Sequence, residues 1–196
     1  MSFLVKLDQD TNYIVSGLER SGTSLMMQIL ESGGIPLCID NSRPPDENNP
    51  KGYYETFSGK IISKILAKSV NLKEYKGKFI KITSYGLQFL PPGDYKIIYM
   101  ERDLTEVLKS MEIMTKNKFE DFQKGLRIFG RFNDKIKDEL GKRMDVDYLI
   151  VNYNRLLKNP LNEINKINEF LGIKPSIETI GDMVSTVDKS LYRVRK

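Results

Sequence analysis

The residues best suited to chemistry form one octapeptide, Gly17-Leu18-Glu19-Arg20-Ser21-Gly22-Thr23-Ser24. Its glycines allow backbone angles that turn successive N–H groups toward one point. A helix that opens at its end adds a partial positive charge there, so the segment has the makings of an anion cradle. Thr23 and Ser24 contribute hydroxyl donors, and Arg20 contributes a fixed cation able to grip an oxyanion with two nitrogens. The two-glycine spacing is that of a nucleotide-binding P-loop, but Thr23 stands where such loops carry lysine. No apolar strand ending in an acid supplies a magnesium position, so an ordinary ATP-hydrolysing site is disfavoured. A plain strand-to-helix turn is the alternative reading of the same glycines.

A second candidate anchor lies at Tyr99-Met100-Glu101-Arg102-Asp103 and continues to Ser110. Arg102 falls at the carboxyl end of an apolar strand segment, and Ser110 lies two helical turns beyond Asp103 on the same helix face. An arginine and a hydroxyl converging there would bind a second anionic group; a surface Arg102–Asp103 pair with a solvated serine is the other reading. The chain contains no histidine. A general base must therefore be a carboxylate, a tyrosine or a lysine. Glu55 is the first candidate, following a loop in which Gly52 allows close approach; a solvated glutamate at a helix start remains open. Asp46 and Glu47 are weaker candidates, and Glu19 inside the loop reads as structural. Lys51, Tyr53 and Tyr54 could line an acceptor site, or be a solvated cation and packing aromatics.

The elements that must position these groups alternate between strand and helix. Strands are expected at Tyr13–Ser16, Phe79–Thr83, Lys96–Met100 and Asp147–Val151. A helix is expected from Thr23, where Leu25, Met26, Ile29 and Leu30 share a face, to the stop at Gly33-Gly34. Another covers Ser58–Ser69, with Ile61, Ile62, Ile65 and Leu66 inward. Asp103 with Glu106 has the capping-box pattern for a third. Phe119, Phe122, Leu126, Phe129, Ile136 and Leu140 mark a long amphipathic helix, and Asn159-Pro160 opens one that Gly172 ends. Asn41–Pro50 reads as an exposed polar loop. This alternation predicts an α/β domain, 1–196, with a mostly parallel central sheet, whose ligand crevice lies at the strand carboxyl ends.

Composition narrows the classes. The 196 residues, 40% hydrophobic and 29% charged, suit one soluble domain with a single core. The single cysteine precludes an internal disulfide, and the lack of histidine removes His/Cys metal sites. No segment reads as a membrane span or signal, so the expected location is the cytoplasm. A net charge of +5 suits an anionic ligand without identifying one. Basic residues are scattered without an aromatic-basic stripe, which argues against a nucleic-acid partner.

With these residues in place, Gly17–Ser24 resembles the 5′-phosphosulfate loop of the sulfotransferases that use 3′-phosphoadenylyl sulfate (PAPS). Tyr99–Ser110 resembles their 3′-phosphate motif. Asn49–Glu55, Asn152–Pro160 leading to Phe170–Ile173, and Ser190–Arg195 are similar to further segments of the bacterial branch. The resemblance implies a three-layer P-loop-like fold and in-line transfer of a sulfuryl group to a hydroxyl or amine, without metal, releasing 3′,5′-ADP. It implies that Gly17, Arg20, Ser21, Gly22, Thr23, Ser24, Arg102 and Ser110 hold the nucleotide, with Arg20 and Glu55 catalytic. Arg193 and Arg195 would close over the 3′-phosphate or adenine, or else form a basic tail. Leu104 departs from the pattern where many relatives have proline. Phenol-type members use a lysine at the Arg20 position and a histidine base, so the likeness is to bacterial, carbohydrate-type and tyrosylprotein-type enzymes. The implied acceptor is a small molecule, carbohydrate or lipid. A P-loop small-molecule kinase and a non-catalytic nucleotide-binding module are the competing classes; the first requires magnesium and ATP, the second binds 3′,5′-ADP without transfer.

Overall fold

In the computed structural model, which describes residues 5–40, 43–188, 190 and 194, strand β1 (Asn12–Gly17) is buried along its whole length. It lies between β2 (Phe79–Lys81) and β3 (Tyr95–Glu101), and β4 (Val146–Asn152) completes the order β2-β1-β3-β4. All three pairings are parallel. Parallel neighbours need crossovers, and helices supply them on both faces.

Successive strand residues point to opposite faces and build two cores. Tyr13, Val15, Ile98 and Met100 join Met26, Met27, Ile29 and Leu30 of α1 (Thr23–Ser32) in the first. Ile14, Ile97 and Tyr99 face the second, with Ile61 and Ile65 of α2 (Ile61–Leu66) and Leu87 of α3 (Ser84–Leu87). Helix α4 (Leu104–Thr115) packs on α5 (Phe122–Gly141) through Val107, Leu108 and Met111 against Phe119, Phe122, Leu126 and Phe129. Two helices, α6 (Tyr153–Lys158) and α7 (Pro160–Leu171), cover the first core with α8 (Ile177–Ser185). The result is a three-layer α/β architecture with an all-parallel sheet, as the alternation of elements predicts.

The helix expected over Ser58–Ser69 is shorter. Phe57, Ser58 and Gly59 take positive φ values and form a 3-10 turn, and Lys68 at φ 52° ends α2. Ile61 and Ile65 are buried as expected, whereas Leu66 faces solvent. Phe119 precedes α5, which Asp121 caps by accepting the Lys124 N–H. The short helices α3 and α6 and the terminal α8 have no counterpart in the expected elements.

Chain leaves β1 for β2 on one side and β3 for β4 on the other. The carboxyl ends of β1 and β3 therefore border a topological switch point, where a crevice opens.

Candidate functional site

Gly17 leaves β1 with φ 145°, and a Cβ there would come within 2.4 Å of the Met100 carbonyl oxygen. Only glycine lets the loop turn this close to β3. Gly22, at φ 102°, is the N-cap of α1, and a Cβ on it would meet the Tyr153 ring at 2.4 Å. No side chain caps α1, so its first-turn N–H groups remain available at the cavity. Ser21 is 1% exposed, and its hydroxyl finds no protein partner among the described residues. That hydroxyl lies beneath the loop against Gly17, and neither Ser21 nor Gly17 lines the cavity, unlike Arg20, Gly22, Thr23 and Ser24.

Arg20 sits at the loop's crest in left-handed backbone conformation, φ 67°. Its Nε donates to Ser110 Oγ on α4 (2.9 Å), and its terminal nitrogens reach Asn48 O and Met114 Sδ. Burial, with Arg102 as a further cation nearby, lowers the pKa of this guanidinium from its ordinary value. Arg102 in turn donates to the Arg20 carbonyl (3.0 Å) and to Val194 O (3.1 Å), and its guanidinium lies 4.6 Å from the centre of the Tyr153 ring. The two sequence anchors thus touch each other directly. Asp103 caps α4 by accepting the Thr105 and Glu106 N–H groups, but Glu106 turns to Arg102 rather than completing a capping box.

The polar loop before α2 folds over the cradle. Asp46 accepts from the Asn48 and Asn49 N–H groups and from the Tyr53 hydroxyl, and this hydrogen bonding lowers its pKa. So held, Asn49 Nδ2 donates to Ser24 Oγ (3.0 Å), whose own hydroxyl donates to Tyr53 O. Tyr53 is buried with its hydroxyl committed to Asp46, and Arg43 stacks 3.4 Å above its ring. Tyr54, at φ 55°, donates to Glu31, and burial, reinforced by that bond, raises its pKa. Lys51 pairs with Asp188 (3.7 Å).

Lys81, at the end of β2, escaped the sequence reading. Its side chain is 6% exposed, 3.3 Å from Ser24 Oγ and 3.6 Å from Glu55 Oε1, and its ammonium also donates to Tyr53 O. Burial, partly offset by Glu55, pulls its pKa down to about 8. A charged residue inside the apolar segment Phe79–Thr83 was the available signal, since a lysine in a central sheet needs a reason to be there.

These groups line one cavity of about 330 Å³, which takes in Arg20, Gly22, Thr23, Ser24, Glu55, Lys81, Arg102 and Ser110. A second cavity, of about 310 Å³, contains Lys51, Gly52 and Tyr54. Arg43, Tyr53 and Glu55 border both. Glu55 bridges Arg43 (3.2 Å) and Lys81 across that boundary. Arg193 and Arg195 lie outside the described residues. Among the described residues no three acidic, cysteine or histidine side chains gather in a way that could hold a metal ion.

The Sulfotransferase domain family matches residues 10–194. The chain belongs to the sulfotransferase family. Its members are PAPS-dependent enzymes, and the chemistry of this one is sulfuryl transfer. Solved structures share the fold at low identity. Mouse sulfotransferase SULT7A1, complexed with PAP, is 15% identical over 97% of this chain and 69% of that one, with a TM-score of 0.60. Sulfotransferase STF9 from Mycobacterium avium is 14% identical over 91% and 68%, at 0.55. The sulfotransferase domain of the Synechococcus PCC 7002 olefin synthase is 16% identical over 100% and 86%, at 0.52. A search of curated proteins finds no match.

Proposed function

We propose that this sulfotransferase moves the sulfuryl group of PAPS to a hydroxyl or amine of a small-molecule, carbohydrate or lipid acceptor, in line and without a metal, with Glu55 as base. The observation that carries the reading is the direct contact between the two anion-binding elements: Arg20 on Ser110, and Arg102 on the Arg20 carbonyl. A nucleotide with phosphates at both its 5′ and 3′ positions requires two adjacent anion sites, whereas ATP requires one continuous track.

The uncapped start of α1, the Thr23 and Ser24 side chains in the cavity, and the glycine-only turn at Gly17 fit the 5′-phosphosulfate. Arg102 and Ser110 suit the 3′-phosphate. PAPS supplies an activated sulfuryl group on an anhydride oxygen. Arg20, Lys81, Thr23, Ser24 and the loop amides take up the charge left on that oxygen as its bond to sulfur breaks. Glu55 removes the acceptor's proton as the new sulfur–oxygen or sulfur–nitrogen bond forms. Lys81 couples the two ends, since it stands between Ser24 and Glu55. Arg43 holds the Glu55 carboxylate from its exposed side, and the cavity beyond it, with Lys51 and Tyr54, offers room for an acceptor. Arg193 and Arg195 remain proposed partners of the nucleotide. A cytoplasmic location is part of this proposal, since a single cysteine suits a reducing compartment; no described helix is long and apolar enough to cross a membrane.

Thermal shift in 3′,5′-ADP, 5′-AMP, and ATP with magnesium tests the reading. At about 100 times its Kd, 3′,5′-ADP should stabilise the fold by about 2.7 kcal/mol and raise Tm by roughly 5–10 °C, with EDTA present. Stabilisation by ATP with magnesium but not by 3′,5′-ADP would favour the kinase class. Retention of labelled PAPS unchanged with every acceptor offered would favour a binding module.

A further inference from the structure

We propose that Glu106 and Asn154 are positioning residues that set Arg102 for a 3′-phosphate, an inference that rests on the PAPS reading of the site. Glu106 lies one turn along from Arg102, and its carboxylate accepts the Arg102 Nε–H at 2.9 Å. The side chains are 3% and 8% exposed. Asn154, on α6, donates from Nδ2 to both carboxylate oxygens at 3.1 Å, while its Oδ1 lies 3.4 Å from the Asp103 N–H. The network spans Arg102, α4 and α6, and the Tyr153 ring beside it also walls Gly22 of the cradle.

A buried carboxylate next to an anion site opposes the ligand's charge, so its presence calls for a compensating role. Helix capping does not supply one, because Asp103 already caps α4. Glu106 instead engages the guanidinium by Nε. The NH1 and NH2 contacts then include the neutral carbonyls of Arg20 and Val194, which an incoming phosphate can replace more readily than a carboxylate. A long arginine fixed beforehand loses little rotamer freedom when its ligand arrives. Asn154 keeps the carboxylate itself from rotating away.

Isothermal titration with 3′,5′-ADP and 5′-AMP reads the effect, because only the first carries the 3′-phosphate. Glu106→Gln keeps the side chain's size but places an amide N–H among donors. We expect its affinity for 3′,5′-ADP to fall roughly tenfold or more, and that for 5′-AMP to change by less than about twofold. In an Arg102→Ala background the same substitution should have no further effect on 3′,5′-ADP. Equal loss for both nucleotides, unchanged or tighter 3′,5′-ADP binding, or full loss in the Arg102→Ala background would each overturn the proposal. If Glu106→Gln does not fold, Asn154→Leu provides the same comparison from the neighbouring helix. A wild-type protein that binds 3′,5′-ADP no better than 5′-AMP would overturn the PAPS reading and this proposal together; discrimination by wild type and variant alike would overturn this proposal alone.

Discussion

Lys81 carries the clearest pH signature at the scale of single residues. Its folded pKa of about 8 lies below the ordinary 10.5, so the ammonium persists below pH 8 and is lost as pH rises through that value. An anion held by this ammonium is bound most tightly at the acid end. Affinity for 3′,5′-ADP should therefore weaken above pH 8, by up to about tenfold per pH unit. Lys81→Met should bind more weakly at pH 7 and give a flat profile in titrations from pH 6.5 to 9.5. The linked effect on stability has the opposite sense. The unfolded chain holds this proton more tightly, so the lysine's contribution to stability rises between about pH 8 and 10.5. Arg20 is tested by rate: Arg20→Ala removes charge stabilisation at the leaving oxygen and should lower kcat about 10²–10³-fold in single-turnover transfer from PAPS.

At the scale of elements, α6 walls the cradle, because its Tyr153 ring packs against Gly22. The helix has only six residues and is held at its start by Asn152, whose side chain accepts the Arg155 N–H at 2.9 Å. Asn152→Ala should cost about 1 kcal/mol in urea unfolding. It should also weaken 3′,5′-ADP binding, because Tyr153 and Asn154 follow directly. Gly22→Ala joins two penalties, a left-handed backbone and a Cβ driven into the Tyr153 ring. A loss of about 1–3 kcal/mol in stability, with nucleotide affinity falling alongside it, is the outcome expected from denaturation and titration. Stability loss with intact affinity would mean that the loop tolerates a shifted ring.

For the molecule as a whole, groups that tie the layers together can be told apart from groups at the strand ends that border the crevice. Tyr99 is fully buried on β3 and points away from the crevice, where its hydroxyl donates to Asn133 of α5 at 2.7 Å. Tyr99→Phe removes a bond between layers and leaves a buried acceptor short of one partner. It should cost about 1–3 kcal/mol while 3′,5′-ADP affinity at 25 °C stays within about twofold of wild type. Gly17, on the crevice side of the same region, should behave in reverse: Gly17→Ala perturbs the loop through Met100 and Ser21 and should abolish nucleotide binding. The two variants, compared by circular dichroism melts and titration, separate what holds the fold from what holds the ligand.

Much of this protein was legible from local signals. The Gly17–Ser24 loop, the four strands, the start of α1 and the Pro160-to-Gly172 helix announce themselves through apolar period, turn residues and caps, which act over a few positions. The short α3 and α6 were not legible, because helices of four and six residues carry too little periodicity and rest on tertiary contacts. The break before α2 was hidden too, since positive φ at Phe57 and Ser58 is imposed by the surrounding packing and not by their own preference. Sequence alone determined the glycine loop, and that any general base must be a residue other than histidine. Only the tertiary structure brought Lys81, Glu55 and Arg43 together and joined Arg102 to Glu106 and Asn154. Those contacts link residues up to 48 positions apart, across β2, the loop over the cradle, α4 and α6. A spacing along the chain carries no record of such distances; the parallel sheet creates them by placing the strand ends side by side.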